Sequence, residues 1–192
     1  MKILLPSSIE IDQGKLRLHD GDTAVVYDPT SPVPEEHVDA EVLVVWANTP
    51  EQLADSARRL TGLRLIQALL AGPDPIVKAG FSEDIVVCSG IGLHDKPVAE
   101  HALALTLALV RSLPELGTAH REHRWASELG GPQKLHPEGR VATLLDAQVT
   151  IWGFGSIAST LAPLYSALGA HVSGIARSTG VRGGYNVVAT EE

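Results

Sequence analysis

Residues 149–176 constrain the fold of this chain more than any other stretch. They read VTIW, then Gly153-Phe154-Gly155-Ser156-Ile157-Ala158, then the helix-forming run STLAPLYSALG and a second apolar run, HVSGIA. Gly153 permits a tight strand-to-helix turn. Gly155 lets a backbone come close to a diphosphate, and the small Ala158 allows the helix to lie against the sheet. The amides of Ser156 and Ile157, at the start of the helix, have no intrahelical acceptor and suit an anion. Glycine spacing alone is a weak signal. The ordered strand, turn, helix and strand make it a strong one for a dinucleotide-binding unit.

The end of the second strand bears on which dinucleotide. A site for NAD places an Asp or Glu there to accept hydrogen bonds from the ribose hydroxyls. This chain has Ala176 followed by Arg177, Ser178 and Thr179. Without the carboxylate, a 2′-phosphate is not repelled, and a guanidinium with two hydroxyls can pair with it. NADP(H) is therefore the favoured cofactor, with NAD(H) possible. Arg182 lies a few residues on, within reach of the same group. The alternative, in which Arg177 is a solvated loop arginine and either cofactor binds, stays open at this point.

Upstream, KILLPSS, TAVVYD, EVLVVWA, LRLIQAL and DIVVCSG are short apolar runs closed by polar or turn-forming residues, as buried strands would be. PEQLADSARRLTG, with Leu53, Ala57 and Leu60 on one side and Gly62 as a stop, reads as a helix between two of them. Alternation of this kind implies α/β architecture with a parallel sheet. Residues 97–113 form a further helix, opened by Pro97 and limited by Pro114, apolar nearly all round and so expected to be buried. The Gly-, Pro- and His-rich stretch that follows reads either as a crossing to another subunit or domain or as a surface excursion.

The 192 residues carry a formal charge of −8, which disfavours nucleic acid and anionic membranes as partners. No apolar stretch reads as a signal peptide or a bilayer span, and the single cysteine, Cys88, suits a reducing compartment, so a cytoplasmic location is expected. Cys88 itself lies in a strand-like run and reads as a packing residue. His120 and His123 have helical spacing but no third ligand near them, so no metal site is expected.

The segments AEVLVVWANTPEQL, LRLIQALLAGPDPI, VVCSGIGLHDKPVAEHALALTLALVRSLP, HRW and TIWGFGSIASTLAPLYSALGAHVSGIARS, in that order, resemble the D-isomer-specific 2-hydroxyacid dehydrogenases, particularly the glyoxylate/hydroxypyruvate reductase-like branch. The resemblance runs from about residue 40 to the end. It implies a flavodoxin-like N-terminal substrate domain over residues 1–95 and a Rossmann nucleotide-binding domain over 96–192, incomplete on its C-terminal side. It also implies hydride transfer between NAD(P)H and a small 2-oxo acid, giving the D-2-hydroxy acid.

Carried residue by residue, the substrate carboxylate falls to backbone N–H groups of the loop at Leu70, Ala71 and Gly72, with Trp46, Ala47 and Asn48 lining the same region. The cofactor falls to Gly153, Gly155, Ser156, Ile157, Arg177, Ser178 and Thr179. Pro73 departs from the pattern, because proline has no N–H to donate. The family's catalytic arginine, glutamate and histidine match no position here and are expected beyond Glu192, so the chain reads as a truncated enzyme, inactive as it stands. His101 matches an ordinary helix position. The resemblance also implies a homodimer formed through residues 114–147, after the long helix. Two readings of another class remain beside the reductase: a non-catalytic nucleotide-binding or scaffold module, and a dimerisation domain that binds no nucleotide.

Overall fold

The computed structural model describes residues 1–130 and 134–190. The chain separates into two compact units, Met1–Leu93 and His94–Glu192.

The first unit is built on five strands: β1 (Lys2–Pro6), β2 (Thr23–Tyr27), β3 (Val42–Val45), β4 (Leu65–Ala68) and β5 (Val86–Cys88). All pair in parallel, in the order β2-β1-β3-β4-β5, the flavodoxin-like winding. All five apolar runs therefore form strands. Leu4, Leu43, Val45, Ile66 and Ala68 are buried on the central strands with Leu53, Leu60 and Ile76 packed over them. The edge strands have a neighbour on one side only, so the expectation of buried runs fails there. Val26 is 53% exposed, Val86 59%, and Cys88 is half-buried rather than enclosed.

Helix α1 (Pro50–Arg59) starts at Thr49, whose hydroxyl accepts from the Gln52 amide at 3.2 Å, with proline in its first turn. A short helix, α2 (Asp74–Lys78), follows β4.

The second unit opens with α3 (Asp95–Val110) and α4 (Leu113–Arg121), where the sequence implied one helix over 97–113. Ser112 adopts φ 50°, which breaks the hydrogen-bond ladder, and Pro114 then falls in the first turn of α4. The two helices meet at 60°. The expected all-round burial of α3 is also corrected. Ala99 is enclosed, and Ala102, Leu103, Leu107 and Val110 pack towards Leu161 and Tyr165, but Leu105 is 59% and Leu109 78% exposed. Among the described residues, no single helix is long and apolar enough to cross a membrane.

Strand β6 (Gln148–Trp152), helix α5 (Ser156–Ala167) and strand β7 (His171–Ala176) follow, as the glycine motif requires. The sequence analysis assigned no strand after β7, but the structure forms two: β8 (Gly180–Arg182) and β9 (Tyr185–Ala189) make a hairpin, and β9 pairs parallel to β7. The sheet order is β6-β7-β9-β8. Gly183 and Gly184, at φ 57° and 88°, supply the two positive-φ residues of a type I′ turn. The chain thereby reverses in two residues and needs no helix to reach β9.

Candidate functional site

In the second unit the loops after β6 and β7 open a cleft of about 750 Å³ at the carboxyl ends of the parallel strands, where open α/β sheets bind their ligands. The turn after β6 is held from below: the amides of Gly153 and Phe154 both donate to Ile175 O, at 2.9 and 3.1 Å. Phe154 points inward, 2% exposed, among Ala158, Ala162 and Val187 and 5.9 Å from the Tyr185 ring. It fits because Gly174 lies beneath it; a Cβ there would stand 2.2 Å from the ring.

The two glycines of the turn leave space. Gly153, at φ 91°, requires its lack of a side chain for conformation. Gly155, at φ −100°, does not. A Cβ at either position would meet nothing within 4 Å. That vacant cradle faces the start of α5, where the amides of Ser156 and Ile157 lack intrahelical acceptors. The residues present thus fit the diphosphate of a dinucleotide, by backbone donors and a helix N-terminus. The Ser156 hydroxyl is already used, donating to Asp95 Oδ1 at 3.0 Å. Only the Ser156 amide is left for a ligand.

The far end of the cleft is cationic. Arg177, exposed at the end of β7, makes no hydrogen bond or ion pair to the described residues and lines the cleft with Ser178 and Arg182. No carboxylate is among the described lining residues. Thr179 Oγ1 accepts from the Ala189 amide at 3.0 Å, which fixes the loop to β9. Sequence reasoning put Arg182 only within reach; it is in fact bound to both loops. Its Nη1 donates to Phe154 O at 2.8 Å, and its Nη2 to Ser178 O and Oγ at 3.2 and 3.0 Å.

In the first unit the loops after β3 and β4 leave neighbouring strands side by side. The Trp46 amide donates to Asn48 Oδ1 at 3.0 Å and Ser8 Oγ donates to Trp46 O at 2.7 Å. Ala47 sits at φ 59°. The side chain of Asn48 is committed inward, donating to Tyr27 Oη and Gln52 Oε1, both at 2.7 Å. Gln52 in turn donates to Ser56 Oγ at 2.9 Å, and Tyr27 to Val44 O at 2.8 Å. Burial pushes the Tyr27 hydroxyl up to about 12, opposed by the Asn48 hydrogen bond. This buried polar network was not foreseen, because its members are joined only by the fold.

The amides of Ala47, Asn48, Leu70, Ala71 and Gly72 hydrogen-bond to none of the described residues. Leu70 O accepts from the Gly90 amide at 2.7 Å, and a Cβ on Gly90 would stand 2.4 Å from Leu69 O. The Leu70–Gly72 loop is therefore seated on a glycine. His101, His120 and His123 are exposed, and among the described residues no three His, Cys, Asp or Glu are grouped to hold a metal.

A glycine-cradled cleft at the carboxyl ends of parallel strands, with helix-start amides that lack intrahelical acceptors and no carboxylate among its described lining residues, defines a dinucleotide-binding α/β protein. Residues 103–190 match the model of the family described as D-isomer specific 2-hydroxyacid dehydrogenase, NAD binding domain. The similarity to that NAD-binding domain falls within the second unit.

Solved structures share the fold of the whole chain. A D-isomer specific 2-hydroxyacid dehydrogenase family protein from Aeromonas salmonicida aligns at TM-score 0.74 and 19% identity, over 99% of this chain and 58% of its own. An NADPH-dependent glyoxylate/hydroxypyruvate reductase from Sinorhizobium meliloti, in complex with NADP and sulfate, aligns at 0.69 and 18%, over 99% and 56%. An NAD-dependent formate dehydrogenase from Staphylococcus aureus, in complex with NAD, aligns at 0.65 and 20%, over 100% and 61%. This chain thus spans less than two thirds of the length of each. Comparison with curated protein sequences found no match.

Proposed function

We propose that this chain carries the nucleotide-binding and substrate-binding elements of an NADPH-preferring reductase that converts a small 2-oxo acid to the D-2-hydroxy acid, as glyoxylate/hydroxypyruvate reductases do. One observation carries the cofactor preference: Arg177 stands exposed, without a partner among the described residues, in a cleft whose described lining holds no carboxylate.

Dihydronicotinamide, when bound, supplies hydride to the substrate carbonyl. The residues of this chain bind and orient. The Ser156 and Ile157 amides hold the diphosphate. Arg177 pairs with the 2′-phosphate, assisted by Ser178 and Thr179. In the first unit, the free amides of Ala47, Asn48, Ala71 and Gly72 hold the substrate carboxylate beside Trp46, while Pro73 offers no donor. NADH remains an accepted, weaker cofactor, and residues 114–147 are the proposed dimer contact.

The test is Arg177→Asp. Reversing a charge about 4 Å from a phosphate is worth roughly 1–4 kcal/mol per unit charge between water-like and surface dielectric. The ratio of NADPH to NADH affinity, read from nicotinamide fluorescence, should fall at least about tenfold. A ratio that does not move refutes the cofactor reading. For the protein carrying this chain, absence of NADPH oxidation with glyoxylate, hydroxypyruvate and pyruvate refutes the reductase reading.

A further inference from the structure

Arg182 reaches the cleft from an unexpected direction. It is the last residue of β8, an edge strand antiparallel to β9, in register with Tyr185 across the Gly183-Gly184 turn. Its guanidinium joins the two loops that shape the cleft, binding Phe154 O within the glycine-rich turn and Ser178 O and Oγ after β7. The bond to Ser178 has a directional consequence. An arginine can only donate, so the Ser178 oxygen accepts, and its own proton must point elsewhere. That proton has no acceptor among the described residues, and Ser178 lines the cleft with Arg177.

We propose that Arg182 is a second specificity-determining residue of this cleft. It is a positioning cation that pins the Arg177–Thr179 loop to the glycine-rich turn and orients the Ser178 hydroxyl as a donor to an incoming 2′-phosphate. The proposal rests on the reading of the cleft as an NADP site and adds the device that organises it. A planar guanidinium bridges two carbonyls and a hydroxyl at once; an ammonium does not reproduce that fork. The positive charge of Arg182 lines the same cleft, so fixing the loop and favouring a phosphate are performed by one group.

The experiment uses the whole chain and two probes of the adenosine half, adenosine 2′,5′-bisphosphate and AMP, with affinities measured by calorimetry. Arg182→Met should weaken the bisphosphate about tenfold or more, the scale of one charge-assisted contact, and AMP less than about threefold on the same scale. Arg182→Lys, which keeps charge but not geometry, should fall between. Ser178→Ala leaves the Arg182 bonds to Phe154 O and Ser178 O in place, so it tests the donor even if Arg182→Met does not fold; it should weaken the bisphosphate alone. Equal loss for both probes would reduce Arg182 to a structural staple and overturn the proposal. So would bisphosphate binding that survives both Arg182→Met and Ser178→Ala. If those variants bind normally while Arg177→Asp does not, this inference falls and the cofactor reading stands. A wild-type chain with no preference for the bisphosphate overturns both.

Discussion

One methyl group added at Gly155 and one added at Gly174 should have opposite consequences. A Cβ on Gly155 meets nothing within 4 Å, and its φ of −100° is open to any L residue. Gly155→Ala should therefore change stability by no more than about 0.5 kcal/mol. The methyl group would instead occupy the space where a diphosphate approaches the turn. Overpacking of about 1–3 kcal/mol there corresponds to a roughly five- to hundredfold loss of nucleotide affinity.

At Gly174 the added carbon stands 2.2 Å from Phe154 Cδ2 and 2.7 Å from Cγ, against a ring that is 2% exposed. The ring cannot rotate into solvent, so the same range of about 1–3 kcal/mol falls on stability. For a unit of this size that lowers Tm by roughly 5–20 °C. Trimming the ring, in Gly174→Ala with Phe154→Leu, should recover part of the loss. Scanning calorimetry and NADPH titration of the variants give both readouts. Gly155→Ala that binds NADPH like the parent would show that the turn is not the phosphate cradle. Gly174→Ala that melts with the parent would show that Phe154 is not locked.

Other outcomes follow from the first unit. Tyr27 titrates at about 12 when folded and near 10 when unfolded. Its unfolded form loses the proton first, so the stability it provides is whole below about pH 10 and declines as pH rises towards 12, by roughly 2–3 kcal/mol in all. Tyr27→Phe should remove that alkaline decline. At neutral pH it should cost about 1–3 kcal/mol, because Val44 O and the Asn48 amide lose a buried partner; alkaline and neutral denaturant titrations check both. Gly90→Ala should displace Leu69 O and speed amide exchange at Leu70, Ala71 and Gly72. Unchanged exchange there would mean that the loop does not rest on Gly90.

Central elements were legible because their signals are local. Five apolar runs bounded by turn residues became five strands, and Gly153-x-Gly155 between two of the later runs became the turn of a β-α-β unit. Three features were not, each for a physical reason. A single left-handed residue, Ser112, splits the long helix, and apolar periodicity carries no record of one backbone angle. The strand pair in GVRGGYNVVA was left unassigned, although Gly-Gly between β-forming residues is a hairpin signal. The links from Arg182 to Phe154 and from Tyr27 to Asn48 and Gln52 join residues distant in sequence, and no spacing rule reports them.

The turn at Gly183-Gly184 decides which way Arg182 faces. Successive strand residues alternate sides, so lengthening that bend by one residue would shift the pairing and send the guanidinium to the opposite surface with its sequence neighbours unchanged. Selectivity for a coenzyme would then be gained or lost by an insertion at a distance, with every ligand-contacting side chain still in place. Natural variation in the size of this bend is therefore as informative about coenzyme choice as variation in the arginines themselves.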